Sequence, residues 1–168
     1  DWSSDVCSSD LPKEIITDSD YEVHESSLKL VSGSNTIKTR DYQKNAVISA
    51  LNKRNILLVS PTSSGKSLIA YMLVRWYLKK YSATDAQKVL IIVPSINLVN
   101  QMYSDYADYS FENGWSVSSN CHKITSGEEK ATEKSVVIST WQSLMRMSPN
   151  YFDQFGMIIG DVADTEVP

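Results

Sequence analysis

The chain has 168 residues and a formal net charge of −4, with 42% hydrophobic residues and no apolar run of the length a membrane-crossing helix needs. That length suits one domain with a core of its own. Its two cysteines, Cys7 and Cys121, exclude a disulfide framework and fit a reducing, cytoplasmic setting, while the mild acidity leaves any nucleic-acid binding to local geometry. Cys121 and His122 are neighbours, which on a strand face opposite ways, so a shared metal is not expected.

Residues 1–11 read as an adapter-derived or disordered tail, with neither the basic start nor the apolar centre of a signal peptide. Three aspartates lie in it, so the remainder of the chain carries a net charge of −1. Residues 12–35 mix apolar and polar residues without a clear period and end in Ser32-Gly33-Ser34-Asn35, which predicts one or two short strands and a linker, as a remnant of an upstream domain would be. From Thr39 or Asp41 a helix is expected, with Ala46, Val47, Ala50 and Leu51 at helical spacing, closing near residues 52–54. Arg40, Tyr42 and Gln43 stand at its start. A glutamine there can offer its carbonyl and amide to the amine and ring nitrogen of adenine, although a solvated side chain serves equally well.

The stretch Ser60-Pro61-Thr62-Ser63-Ser64-Gly65-Lys66-Ser67 organises the rest. An apolar run, residues 56–59, is expected as the strand leading into it, and an amphipathic helix leaves it. The chemistry needs these residue types. Gly65 lets the backbone approach a phosphate, Lys66 reaches β- and γ-phosphate oxygens, and the Ser67 hydroxyl can ligate Mg²⁺. Ser60 stands where the usual pattern has its first glycine.

Beyond the loop, Leu68, Ile69, Met72, Leu73, Trp76 and Tyr77 make a broad apolar face, with Lys79 and Lys80 at the carbonyl end of the helix. Residues 89–93 form a continuous apolar run of the buried parallel type, stopped by Pro94-Ser95. A helix follows with Leu98, Val99, Met102, Tyr103 and Tyr106 inward, ending by Asn113-Gly114. Next come a strand near residues 116–124, a charged turn at Glu128-Glu129-Lys130, and a strand at 136–140. A short helix over 141–147, a turn or helix over 149–155 and a last strand over 157–160 running into Asp161 complete the pattern. Alternating strands and helices predict an α/β layer with a mainly parallel sheet, helices on both faces and a ligand site at the carboxyl ends of the strands.

Four pieces stand in an order that resembles the first motor domain of superfamily 2 helicases. They are Arg40-Asp41-Tyr42-Gln43, residues 60–67, Val93-Pro94-Ser95 with Gln101, and the apolar strand ending at Asp161. Residues 137–144 and 154–159 make residues 36–161 most similar to UvsW-type phage DNA helicases, and similar also to type III restriction-enzyme motors. The resemblance implies a RecA-like P-loop NTPase fold over residues 36–168, cut off after the family's motif II, which the strand ending at Asp161 would supply, with a second RecA-like domain missing. It implies ATP held by Thr62, Ser63, Ser64, Gly65, Lys66 and Ser67, adenine recognised by Arg40 and Gln43, and Mg²⁺ placed by Ser67 and Asp161. Lys66 and Asp161 would be its catalytic groups. Pro94, Ser95, Gln101, Gly127, Thr140 and Gln142 would touch one nucleic-acid strand, DNA in preference to RNA and branched or hybrid in structure. Helix N-terminal amides and small hydroxyls bind phosphates without a basic patch.

Motif II departs from the family pattern. Val162 holds the place of the glutamate that would orient the attacking water, and valine can accept neither a proton nor a hydrogen bond. The departure is either genuine, which would cut hydrolysis by orders of magnitude and spare binding, or a reading error at the end of the sequence. Three readings stay open: a fragment of an ATP-dependent DNA helicase or translocase, inactive alone; a nucleotide-binding module without turnover; and an unrelated P-loop kinase.

Overall fold

The computed structural model describes residues 15–53, 55–58, 64–81, 88–125 and 130–161. Four parallel strands form its main sheet: β3 (Lys88–Val93), β4 (Cys121–Ile124), β5 (Val136–Thr140) and β6 (Phe155–Gly160), in the order β4-β5-β3-β6. β5 is buried along its whole length and β3 nearly so, as a parallel strand covered on both faces must be. Alternation along β3 divides the core. Val89, Ile91 and Val93, with Val136 and Ile138 of β5, face α2 (Asp41–Asn52), α3 (Lys66–Lys80) and α4 (Ile96–Tyr109). Leu90 and Val137 face the other way, onto Leu144 of the short helix α6 (Trp141–Leu144) and Phe155, with Tyr151 and Phe152 of the 3₁₀ helix Pro149–Gln154 packed alongside. Helices therefore cover both faces, as expected. Each fully buried aliphatic side chain contributes about 1.5–3 kcal/mol.

The region before the phosphate loop differs from expectation. Residues 12–35 were expected as short strands and a linker, but Asp18–Leu28 is the helix α1, followed by a hairpin of β1 (Val31–Ser32) and β2 (Asn35–Thr36). A capping box starts α1: the Thr17 hydroxyl accepts the Asp20 N–H at 3.3 Å, and the Asp20 carboxylate accepts the Thr17 N–H at 2.8 Å. Tyr21, His24 and Leu28, at helical spacing, are buried, and Tyr21 and Leu28 join the core of α2 and α3. Asn52, at the end of α2, clasps the main chain of Ile16 in both directions, 2.8 and 2.9 Å.

Two further expectations are corrected. The strand near residues 116–124 is a one-turn helix, α5 (Val117–Asn120), capped by Ser116, followed by β4. The strand at 56–59 is not formed over residues 56–58, and Val59 lies outside the described residues. Leu57 is 78% exposed. A strand exists only through a ladder partner, and among the described residues the outer edge of β6 has none. No described helix is long and apolar enough to cross a membrane.

Candidate nucleotide and nucleic-acid site

Gly65 closes the described end of the phosphate loop in the left-handed region, at φ 76°, and caps α3. Its carbonyl accepts from Leu68 N–H (3.1 Å) and Ile69 N–H (3.2 Å), starting the helix. The N–H groups of Lys66 and Ser67 lie in the first turn, where an α-helix supplies no main-chain acceptor, at the positive end of the helix dipole. That is the geometry an anion takes up.

The start of α2 holds this corner. Gln43 is only 5% exposed; its Oε1 accepts the Arg40 N–H at 2.8 Å, and its Nε2 donates to the Ser64 carbonyl at 3.0 Å. The Tyr42 hydroxyl donates to the same carbonyl at 2.6 Å. A Cβ at Gly65 would stand 2.3 Å from Gln43 Nε2, so only glycine fits beneath that amide. Gln43, expected to recognise adenine, thus clamps the loop with one N–H and one carbonyl lone pair. One of each remains on the carboxamide. The Arg40 side chain is exposed at the same helix start.

Asp161 reaches this corner from the sheet. Its N–H donates to the Ile92 carbonyl at 2.8 Å, continuing the β3–β6 ladder by one residue, and Oδ1 lies 4.0 Å from Lys66 Nζ. Both side chains are partly exposed, so the pair contributes little to stability and is open to a ligand. Ser67 is turned elsewhere. Its Oγ is 3.1 Å from the Tyr109 hydroxyl, and it hydrogen-bonds Asp105, both on α4. Burial raises the Asp105 carboxyl above its usual range against the lowering effect of the Ser67 bond, and burial likewise raises the Tyr109 phenol.

The turns expected to meet nucleic acid share one sheet end. Val93 and Thr140 are register partners, so Pro94-Ser95 and Trp141-Gln142 leave adjacent strands side by side, on the carboxyl edge where Asp161 also stands. Ser95 Oγ accepts Leu98 N–H and caps α4; Thr140 Oγ1 accepts Ser143 N–H and caps α6. Ser95, Gln142 and Gln101, on the second turn of α4, are exposed. Thr140 is buried. Thr62, Ser63, Gly127 and Val162 lie outside the described residues.

Three contacts at this site were not anticipated: Tyr42 on Ser64, and Tyr109 and Asp105 on Ser67. Asp105 and Tyr109 are spaced i, i+4 and share a face of α4, but only the packing of α4 on α3 shows what that face meets. Cys121 is buried and its thiol is pushed up to about 12 by desolvation; among the described residues no cluster of three His, Cys, Asp or Glu could hold a metal.

Comparison with known proteins agrees with this geometry. Residues 36–163 match the family described as type III restriction enzyme, res subunit. The ATP-dependent DNA helicase uvsW of Enterobacteria phage T4 is 35% identical over 149 residues, which is 89% of this chain and 29% of that protein. The ATP-dependent DNA helicase Hel308 of Caldivirga maquilingensis is 32% identical over 114 residues, 66% of this chain and 14% of that one. A crystal structure of T4 UvsW superposes with a TM-score of 0.77 at 36% identity, covering 88% of this chain and 29% of that chain. The chain thus spans less than a third of the length of the phage relative. On the family match, the fold and the carboxyl-edge site together, the chain belongs to the type III restriction enzyme res subunit family of superfamily 2 helicase motors and carries a RecA-like domain.

Proposed function

We propose that the chain is the ATP-binding part of a DNA helicase or translocase, which in its parent protein hydrolyses ATP to move on nucleic acid. The observation that carries this reading is the corner in which Gly65, in the left-handed region, opens α3 while Lys66 Nζ stands 4.0 Å from Asp161 Oδ1. The residues present fit a Mg²⁺-bound triphosphate. Main-chain N–H groups from Ser63 to Ser67 and the Lys66 ammonium would hold phosphate oxygens, with Thr62 alongside. Asp161 and Ser67 would hold the metal, for which Ser67 must leave Tyr109 and Asp105. Mg²⁺ supplies neutralisation of charge on the transferred phosphoryl group. Arg40 and the unused half of the Gln43 carboxamide would recognise adenine.

Pro94, Ser95, Gln101, Thr140 and Gln142, with Gly127, would take one nucleic-acid strand on the same edge. Contacts through helix caps and hydroxyls read phosphate and shape, so the preferred substrate is branched DNA or a hybrid, not a sequence. A second RecA-like domain would supply an arginine worth about 10³–10⁵ in rate in comparable systems. The setting is the host cytoplasm of a phage. Val162, in place of a water-orienting glutamate, favours a second reading, nucleotide binding without turnover.

Nucleotide titration tests the first step: Lys66→Ala should abolish ATP binding, and near-normal affinity would overturn the loop assignment. DNA-stimulated ATP hydrolysis by a version carrying Val162→Glu and a second motor domain tests the motor. Absence of stimulation would leave only the binding module.

A further inference from the structure

Beyond the caps of α4 and α6, the carboxyl edge of the sheet carries exposed apolar side chains. Trp141, the residue after β5, is 51% exposed, and Met145, four residues on, is 68% exposed. Among the described residues Trp141 is the one exposed tryptophan. The Met145 N–H donates to the Trp141 carbonyl at 3.1 Å, so one helical turn joins the two and sets their side chains on neighbouring ground. Leu144, between them, is buried and packs with Leu90 and Val137, which fixes the main chain beneath the exposed ring. Val93 and Thr140 are register partners, so the main chains of Pro94 and Trp141 leave adjacent strands about 4.8 Å apart. An exposed apolar residue is ordinary by itself; an aromatic one held rigid beside a row of phosphate-binding caps is not.

Charge selects the partner. The chain holds 20 aspartates and glutamates, yet residues 86–104 and 134–152, which include β3, β5 and the turns that leave them, contain none. Arg146 follows Met145, is exposed, and forms no ion pair among the described residues. A flat ring with a guanidinium close by, on ground without negative charge, fits a nucleotide: the base on the ring, a phosphate on the cation. Resting on the reading that this edge takes a nucleic-acid strand, we propose that Trp141 stacks on one unpaired base of that strand, with Arg146 on an adjacent phosphate. Inside a duplex both faces of a base are covered by its neighbours, so the strand has to be single or opened where it meets the indole. Every base has a π face, which makes the contact indifferent to sequence. Phosphate contacts at the helix caps hold single and double strands alike, and the ring is what chooses between them.

Fluorescence titration of the chain tests this with three probes: dT12, an abasic twelve-mer that keeps the phosphates and lacks the bases, and a twelve-base-pair duplex. Tryptophan emission should be quenched by dT12 and not by the abasic strand. Trp141→Leu should remove the quench, weaken dT12 about tenfold and leave the abasic strand unaffected, while Trp141→Phe, which keeps a ring, should recover most of the loss. The preference for dT12 over the duplex should shrink about tenfold as well. If dT12 is weakened by Gln101→Glu, on the same edge, but untouched by Trp141→Leu, the stacking is overturned and the phosphate contacts of the edge stand. Equal losses on dT12 and the abasic strand would also overturn it, since the ring would then act through the fold and not through a base. A chain that binds none of the three probes would remove the edge reading and the stacking together. Because the quench is read on the unsubstituted chain, a Trp141→Leu chain that fails to fold does not obscure the result.

Discussion

Gly65→Ala is the perturbation whose cost can be worked most fully from this structure. Two effects add. Alanine at φ 76° costs about 1 kcal/mol in conformation alone, and its Cβ would lie 2.3 Å from Gln43 Nε2, closer than side chains tolerate. Gln43 must therefore withdraw, losing its bonds to the Ser64 carbonyl and the Arg40 N–H, each worth about 1 kcal/mol. The total is about 3 kcal/mol, a large share of the stability of a domain this size. Urea unfolding should show a lower midpoint at unchanged slope. The decisive measurement is the cycle with Gln43→Ala. Once Gln43 is gone, Gly65→Ala should cost only its conformational part, leaving a coupling of about 2 kcal/mol between the two sites. Additive costs, within about 0.5 kcal/mol, would show that the Gln43 carboxamide does not sit over Gly65 and would refute the clamp.

Three other expectations follow from the same geometry. Burial, with Lys79 and Arg75 nearby, lowers the His24 imidazole to about 4 from an ordinary 6.5, so the unfolded chain takes up a proton first. Stability is therefore full above about pH 6.5 and falls as pH drops toward 4, by about 2 kcal/mol between pH 7 and pH 5; urea midpoints against pH should show a slope that His24→Phe removes, and an unchanged slope would contradict it. Tyr109→Phe frees one partner of Ser67 and should raise Mg²⁺-dependent ATP affinity by a few-fold, about 1 kcal/mol, in isothermal titration, with equal or weaker affinity counting against Ser67 as the metal ligand. Gln43→Ala should narrow the difference in affinity between ATP and GTP, and undiminished discrimination would leave Gln43 with the clamp alone.

The glycine in the left-handed region, the lysine after it and the apolar strands were legible because each rests on local chemistry. Only a few residue types satisfy a phosphate loop, and a fully buried parallel strand has to be continuously apolar, as β5 is. The α1 helix carried a readable start in Thr17-x-x-Asp20, but its three buried positions, Tyr21, His24 and Leu28, are too sparse to outweigh its polar remainder. Residues 56–58 misled for the opposite reason: an apolar run has strand composition whether or not a ladder partner is present.

What the sequence by itself determined is the motif order from Arg40 through Ser67 to Asp161, and with it the α/β class and the family. The tertiary structure alone decided how those motifs meet. Gln43 stands over Gly65, Asp161 is carried beside Lys66 by the β3–β6 ladder, Ser67 is held by Tyr109 and Asp105, and His24 is buried against Trp76 with one nitrogen open. The partners in each of these contacts stand more than twenty residues apart, beyond anything a helical or strand period could join, and such contacts follow from which faces pack together, a choice that no local preference encodes.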